Sequence, residues 1–397
     1  MITNRDIIIV GQQPWDTEIG SNCKNIAAEF SKQNRVLYVN APLDRFSMYK
    51  QKNDPKIQRR INISRGLESP LILIENNLWN LYPKNIIESI NWIRSQKIFE
   101  YFNLINNKRI AKNIRYAIDQ LGFKNVILFN DNDIFRSFHL KELLSPKTSV
   151  YYSRDYMLAV DYWKKHGEKL EPLLIAKSDV CVANSTYLSD YCKQYNPHSF
   201  YVGQGCEMEI FANFNGDDSP EDIKHIPFPR LGYIGALLSL RLDIDLLISI
   251  AKAKPEWSVV LVGPEDDAFL KSELHQLPNV YFLGAKPSLQ LPAYIHAFDI
   301  CLNPQVISEV TIGNYPRKID EYLAMGKPVV ATSTPFMEAV FNEYTYLGVS
   351  VHDYIRLCTM AMLENDDFKS DERKKFASTH TWENSVSEIY KAILSVC

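Results

Sequence analysis

Short apolar runs alternate with amphipathic stretches along most of the chain. Asp6-Ile7-Ile8-Ile9-Val10-Gly11 is an apolar run closed by glycine, the pattern of a strand buried on both faces of a parallel sheet. A loop over 12–24, with Pro14, Trp15, Asp16, Gly20 and Ser21, leads to a predicted helix over 25–33 and a strand over 36–39. This is a βαβ unit. Further strands are predicted at 71–74, 126–129, 149–152, 180–183 and 200–202, and helices at about 86–121, 171–178 and 185–194. Residues 44–70 are polar and basic and read as irregular. Residues 212–229 are polar and proline-containing, after which the alternation restarts with strands at 231–235, 257–262, 280–284 and 300–302. The expected fold class is therefore α/β with two domains. An N-terminal Rossmann-like domain covers 1–206, a linker 207–229, a second domain 230–378, and a closing helical segment 379–397.

The most structured stretch is Asn314-Tyr315-Pro316-Arg317-Lys318-Ile319-Asp320-Glu321-Tyr322-Leu323-Ala324-Met325-Gly326-Lys327-Pro328-Val329-Val330-Ala331-Thr332. It predicts a helix capped by Asn314, with Pro316 in its first turn, stopped by Gly326 and followed by a buried strand. Lys318 and Glu321, three residues apart, share a helix face. A helix start with a cation and a carboxylate one turn in suits a diphosphate and a ribose hydroxyl pair. Gly235, Gly263 and Gly284 each close a predicted strand, which puts three glycine turns on one sheet edge, where ligands bind in open α/β sheets. By the same rule the 12–24 loop, with Asp16, Gly20, Ser21 and Lys24, and Arg154-Asp155 just past a strand are candidate binding residues of the first half.

Composition narrows the classes. Hydrophobic residues make up 46% and charged ones 23% of 397, ordinary for a soluble globular protein. The seven cysteines are scattered without a CxxC pair, which points to neither a zinc site nor a disulfide framework and fits a reducing cytosol. No secretion signal or membrane-spanning run is read, so a cytoplasmic location is expected. The net charge of −3 hides an asymmetry. Residues 1–200 hold 28 Lys and Arg against 20 Asp and Glu (+8), and residues 201–397 hold 16 against 27 (−11). The first half is therefore expected to meet something anionic: a phosphorylated acceptor, a membrane surface or a nucleic acid. The pI of about 6.3 and the lack of a nucleic-acid motif disfavour the last. Two DxD patterns, Asp131-Asn132-Asp133 and Asp243-Ile244-Asp245, raise a metal reading; the second is better read as a helix cap, and no metal is expected.

The run Pro316-x-Lys318-x-x-Glu321-Tyr322-Leu323-Ala324-x-Gly326-Lys327-Pro328-Val329-Val330 resembles the donor-binding domain of GT-B-fold retaining glycosyltransferases of family 4, in the form found in bacterial surface-polysaccharide and teichuronic-acid-type enzymes. Supporting marks are Tyr233-Ile234-Gly235, Leu261-Val262-Gly263-Pro264, Asn279–Gly284, Phe298-Asp299-Ile300 and His380-Thr381-Trp382-Glu383. The resemblance implies two Rossmann-like, doubly wound parallel-sheet domains facing a central cleft. It implies transfer of a sugar from a UDP- or GDP-sugar to a polyprenyl-linked or polysaccharide acceptor, with retention and without metal or cofactor, at the inner face of the plasma membrane. Glu321 would hold the donor ribose, and Arg241 and Lys318 the diphosphate; Gly235, Ala236, Gly263, Gly284, Gly313 and Asn314 would line the donor site. Two positions depart from the family. Ala236 stands where Arg is common, and Gly313 where a sugar-contacting Glu is common, so the backbone N–H groups of 312–314 are expected to meet the donor instead. A sugar-nucleotide epimerase of the same fold, or a non-catalytic sugar-nucleotide or glycan-binding protein, are the alternatives.

Overall fold

The apolar runs form two parallel sheets, each wrapped by helices, in a computed structural model that describes all residues except 18–20, 215, 217, 218 and 397. Contacts divide the chain into two units, Met1–Gly203 with Trp382–Cys397, and Gln204–Thr381.

The first unit is built on β1 (Asp6–Gly11), β2 (Arg35–Val39), β3 (Leu71–Glu75), β4 (Leu78–Leu81), β5 (Ile127–Asp131), β6 (Thr148–Ser153), β7 (Val180–Ala183) and β8 (Ser199–Tyr201), in the order β3-β4-β2-β1-β5-β6-β7-β8. Every pair is parallel except β3 with β4. The central strands β1, β5 and β6 are buried along their length, as their unbroken apolar character requires. The helix Trp382–Leu394 belongs to this unit: Val386, Ile389, Tyr390 and Ile393 share a core with Ile7, Phe30 and Val182. Two local expectations fail here. The helix read from about 86 starts at Gln96, because 86–95 forms a loop pinned by side chains such as Asn106 and Arg109. Residues 44–70, read as irregular, contain the helices Arg45–Lys50 and Pro55–Ser64, capped by Asp44 and Asp54.

The second unit is a six-stranded, all-parallel sheet of β9 (Arg230–Ile234), β10 (Ser258–Val262), β11 (Val280–Phe282), β12 (Ile300–Asn303), β13 (Val329–Thr332) and β14 (Tyr346–Gly348), ordered β11-β10-β9-β12-β13-β14. The proposed linker at 207–229 is corrected. Met208, Phe211, Ile223 and Ile226 are buried in this unit's core, and Asp222 bonds Lys286 and Tyr294, so the described parts of the segment pack with it. A parallel sheet places all strand C-termini on one edge, and β9, β10 and β11 are neighbours. Gly235, Gly263 and Gly284 thus follow adjacent strands on that edge.

The turns at Gly235 and Gly263 touch through their backbones. Gly235 donates its N–H to Val262 O (2.8 Å), and a Cβ on Gly263 would lie 1.9 Å from Gly235 O. A rigid carbonyl cannot yield as a side-chain tip can, so Gly263→Ala is expected to cost about 1–3 kcal/mol of stability, measurable as a lowered midpoint in chemical denaturation.

Candidate functional site

In the second unit the site grows from the edge past β9. The helix Arg317–Ala324 begins two residues later than expected: Pro316 occupies its N-cap position, and Asn314 does not cap it. Proline at 316 disfavours helical geometry at the residue before it, Tyr315, and Pro316 itself has ψ 81°. The free N–H groups expected at 312–314 are also corrected. Ile312 and Asn314 donate theirs to Ser308 O (2.9 Å) and Thr311 O (3.0 Å), within a tight loop in which Gly313 is buried.

The helix is fixed to the strand edge by Tyr322, whose buried hydroxyl accepts the N–H of Ile234 at 2.9 Å. One turn earlier, Lys318 crosses Gly235. A Cβ on Gly235, where φ is +133°, would lie 2.1 Å from Lys318 Cε, and the Lys318 ammonium sits 5.4 Å from the Tyr233 ring centre. Glu321 follows on the same helix, its side chain only 15% exposed and 3.9 Å from Arg317. Burial pushes its carboxyl above the usual range, against the pull of Lys318 and Arg317. Arg241 is exposed on the loop after β9. Its carbonyl accepts Val306 N–H, and Asp243 N–H reaches Pro304 O, both at 2.9 Å, so this loop is tied to the one leading into the helix. Ala236 and Gly284 are exposed on the same edge. The edge thus collects Arg241, Lys318 and Glu321 around glycine turns.

Three groups here were missed from sequence. Arg317 is half-buried and close to Cys206, Glu207 and Glu321; its i,i+4 spacing to Glu321 was the available signal. Asp320 is fully buried, and its Oδ1 lies 2.6 Å from His380 Nδ1, which in turn is 3.1 Å from the Tyr315 hydroxyl. Sixty residues separate Asp320 from His380, so no local pattern could announce the pair.

The first-unit candidates fall into two groups. Asp16 is held by a two-pronged ion pair to the buried Arg60 (2.8 and 2.9 Å), Lys24 donates to Thr17 O, and Ser21 caps the helix Asn22–Ser31. Gly20 lies outside the described residues. Arg154 bonds Asp131 and Asp155, each at 3.0 Å, at the ends of β5 and β6. Of the DxD carboxylates, Asp131 is taken by Arg154 and Asp133 by Arg136, while Asp243 caps the helix Ile244–Ala253. Among the described residues no three His, Cys, Asp or Glu side chains form a metal-sized group.

The geometry of both units is that of the GT-B fold. Anabaena HepE in complex with UDP has a TM-score of 0.66 at 13% identity, over 98% of this chain and all of that one. Sucrose-phosphate synthase from Thermosynechococcus elongatus gives 0.66 at 13%, over 99% and 100%. α,α-Trehalose 6-phosphate synthase from Burkholderia multivorans gives 0.67 at 11%, over 100% and 97%. Residues 228–359 match the family model Glycosyl transferases group 1, and the chain carries a domain of that family. TuaH of Bacillus subtilis (strain 168), named as a teichuronic acid biosynthesis glycosyltransferase, is 32% identical over 246 residues. The match covers 59% of this chain and 61% of that protein.

The Arg154-Asp155 turn is set by a buried polar chain. Asn132, at φ +54°, accepts the N–H groups of Arg154 and Asp155 (both 3.0 Å) and donates to Tyr151 Oη (3.0 Å), which donates to Glu171 (2.6 Å). Burial pushes the Glu171 carboxyl up to about 7, despite the hydrogen bonds from Tyr151 and Tyr191. A raised folded-state value gives stability that is present below the unfolded value of 4.5 and lost as pH rises through about 7. Glu171→Gln is expected to raise the unfolding free energy at pH 8 more than at pH 5, by up to about 3 kcal/mol, in urea titrations at the two pH values.

Proposed function

We propose that this protein is a glycosyltransferase that moves a sugar from a UDP- or GDP-sugar to a lipid-linked or polysaccharide acceptor in bacterial surface-glycan synthesis. The observation that carries the reading is the strand edge past β9, where a largely buried carboxylate, Glu321, stands one helical turn from Lys318 beside a glycine turn. A desolvated carboxylate can accept two ribose hydroxyls, and the exposed Arg241 and the Lys318 ammonium can meet a diphosphate. HepE, of the same fold, was solved with UDP, and with UDP-glucose in another crystal.

Transfer breaks the bond from the anomeric carbon to the diphosphate oxygen and forms one to an acceptor hydroxyl oxygen. The hydroxyl proton leaves with the diphosphate, so the new bond forms on the face the leaving group vacates, with retention. Negative charge grows on the departing diphosphate, and fixed cations stabilise it most when water is excluded. Arg241 and Lys318 supply that charge without a metal. Ala236 offers no cation at its position, which leaves Lys318 the larger share. No helix among the described residues is long and apolar enough to cross a membrane. Work on a lipid-linked acceptor would take place at the inner face of the plasma membrane.

Glu321→Gln is expected to weaken UDP binding at least tenfold, since a hydrogen bond to a charged group contributes about 1.5–3 kcal/mol. Because the Glu321 carboxyl is held high by burial, wild-type affinity should fall as pH drops, from above the ordinary carboxylate range. The Gln variant should lack that limb. Calorimetric titration of UDP and GDP from pH 4.5 to 7.5 measures both; unchanged affinity in the variant refutes the ribose role.

A further inference from the structure

Among the described residues the Arg241 side chain has no ion-pair or hydrogen-bond partner, and the residue is exposed. A long side chain free in water has many rotamers, so only its backbone limits where the guanidinium can reach. What fixes the Arg241 backbone therefore sets the place of this cation on the strand edge.

The loop that carries it is anchored at two apolar points. Leu237 and Leu242 are buried, whereas Leu238 and Leu240 between them are exposed. The N–H groups of Arg241 and Leu242 both donate to Leu238 O, at 2.8 and 2.9 Å, which closes a single turn. Past the turn, Arg241 O accepts from Val306 N–H (2.9 Å). The segment around Val306 is itself tied down. Gln305 donates its N–H to Thr332 Oγ1 (2.8 Å) at the end of β13, and its side-chain Nε2 to Thr311 O (2.9 Å).

The other side of the turn is held by Asp266, from the loop past β10. Its N–H donates to Leu237 O (3.0 Å), and Leu237 N–H donates to Pro264 O (2.8 Å). Its Oδ2 accepts both the N–H (2.7 Å) and the hydroxyl (2.8 Å) of Ser239. Its Oδ1 accepts the N–H groups of Ala268 (3.1 Å) and Phe269 (2.9 Å), at the start of the four-residue helix Asp267–Leu270. The two oxygens thus have separate tasks. One caps the helix, and the other, which the cap does not need, is spent on Ser239. Two donors of one residue on one carboxylate oxygen fix the turn in rotation as well as in position, where a single bond would leave a hinge. The Phe269 N–H and then the Ser239 bonds hold the Asp266 carboxyl below the usual range, so this strap is charge-assisted at neutral pH.

We propose that Asp266, acting through Ser239, is a positioning residue that aims Arg241 at the leaving diphosphate. It rests on the proposed function in taking Arg241 as a ligand of that diphosphate. With its turn strapped on both sides, the cation starts from a fixed root. Less freedom is then lost when it meets the diphosphate, and it is in place as negative charge grows on the departing oxygen.

The conservative variant separates the strap from the cap. Asparagine caps a helix as well as aspartate does. Asp266→Asn keeps an oxygen for Ala268 and Phe269 and sets an NH₂ group against Ser239 N–H, so that two donors face each other. The full chain is titrated with UDP and with GDP by calorimetry, as wild type, Asp266→Asn, Ser239→Ala, Arg241→Ala and the double variant Arg241→Ala with Asp266→Asn. A cooperative urea transition in each shows that it is folded. For the nucleotide that binds, Arg241→Ala is expected to lower affinity about tenfold. Asp266→Asn should lower it about fivefold, but less than about twofold once Arg241 is gone, because a strap with no cation to aim has nothing to lose. Ser239→Ala should lower it less than Asp266→Asn, since Ser239 N–H still reaches the carboxylate. Unchanged affinity in Asp266→Asn overturns the proposal. So does an undiminished loss on top of Arg241→Ala, which would place the effect elsewhere. Absence of any effect of Arg241→Ala, with Glu321→Gln still weakening binding, overturns it and leaves the ribose site standing. Binding of neither nucleotide to the wild type removes the donor site and this positioning role together.

Discussion

The second unit depends on a close backbone approach at the edge of its sheet. Gly235 and Gly263 bring two strand-end turns into contact, and the space a Gly235 side chain would fill is taken by the Lys318 stem. That contact and the Tyr322 hydroxyl on Ile234 N–H set the depth at which the helix Arg317–Ala324 lies against β9. The helix in turn carries Glu321 into a largely desolvated position beside Arg317. Any side chain at 235 would displace Lys318 and with it the cation nearest the turn. Glycine is required there by the occupant of its own space as much as by its backbone angle.

The strands of both units could be read from the chain because parallel strands buried on both faces are unbroken apolar runs bounded by glycine or polar turns. Runs such as 6–11, 258–262 and 329–332 leave no other reading. The rim glycines and the shared face of Lys318 and Glu321 were legible for the same reason: they depend on spacing of a few residues. Long-range satisfaction of polar groups was not legible. The helix cap moved from Asn314 to Pro316, and the N–H groups of Thr311, Ile312 and Asn314 are used within the preceding loop. The segment 207–229 looks like a linker, since its polar residues outnumber the few apolar ones, Met208, Phe211, Ile223 and Ile226, that anchor it. The Asp320–His380 pair and the Asn132–Tyr151–Glu171 chain join residues far apart in sequence, and composition carries no trace of them.

The two units treat charge differently, and the difference bears on what each can bind. In the first, acidic side chains of the strand-end loops and of the 86–95 loop are neutralised locally: Asp16 by Arg60, Asp131 by Arg154, Asp133 by Arg136 and Glu88 by Arg45 and Arg109. Much of the arginine in this basic half is thereby consumed. Its excess of positive charge falls to exposed lysines such as Lys50, Lys52 and Lys56. Lysine is a compact, mobile charge on a long stem, suited to a phosphate that approaches from solvent rather than to a fixed two-pronged partner. In the second unit, Glu321 and Asp320 are carboxylates held in low dielectric with their values raised by burial. A carboxylate in that state is costly to keep unless a ligand or a fixed cation compensates it.

Glu321 and Asp320 are consecutive on one helix, yet they resolve this cost in different ways. Asp320 points into the core and meets His380, which makes it a strut between the helix and the segment preceding Trp382. Among the described residues, Glu321 has only the distant Arg317, at 3.9 Å, as an ion-pair partner. Removing water from a carboxylate without giving it a close partner leaves acceptor capacity unspent, and a pair of ribose hydroxyls is a ligand of the right polarity to use it. The strut holds the helix so that this unspent capacity stays at the strand edge instead of relaxing toward solvent. Stability and recognition then divide between neighbouring residues under the proposed function: the better-satisfied carboxylate secures the helix, and the poorly satisfied one is left for the ribose.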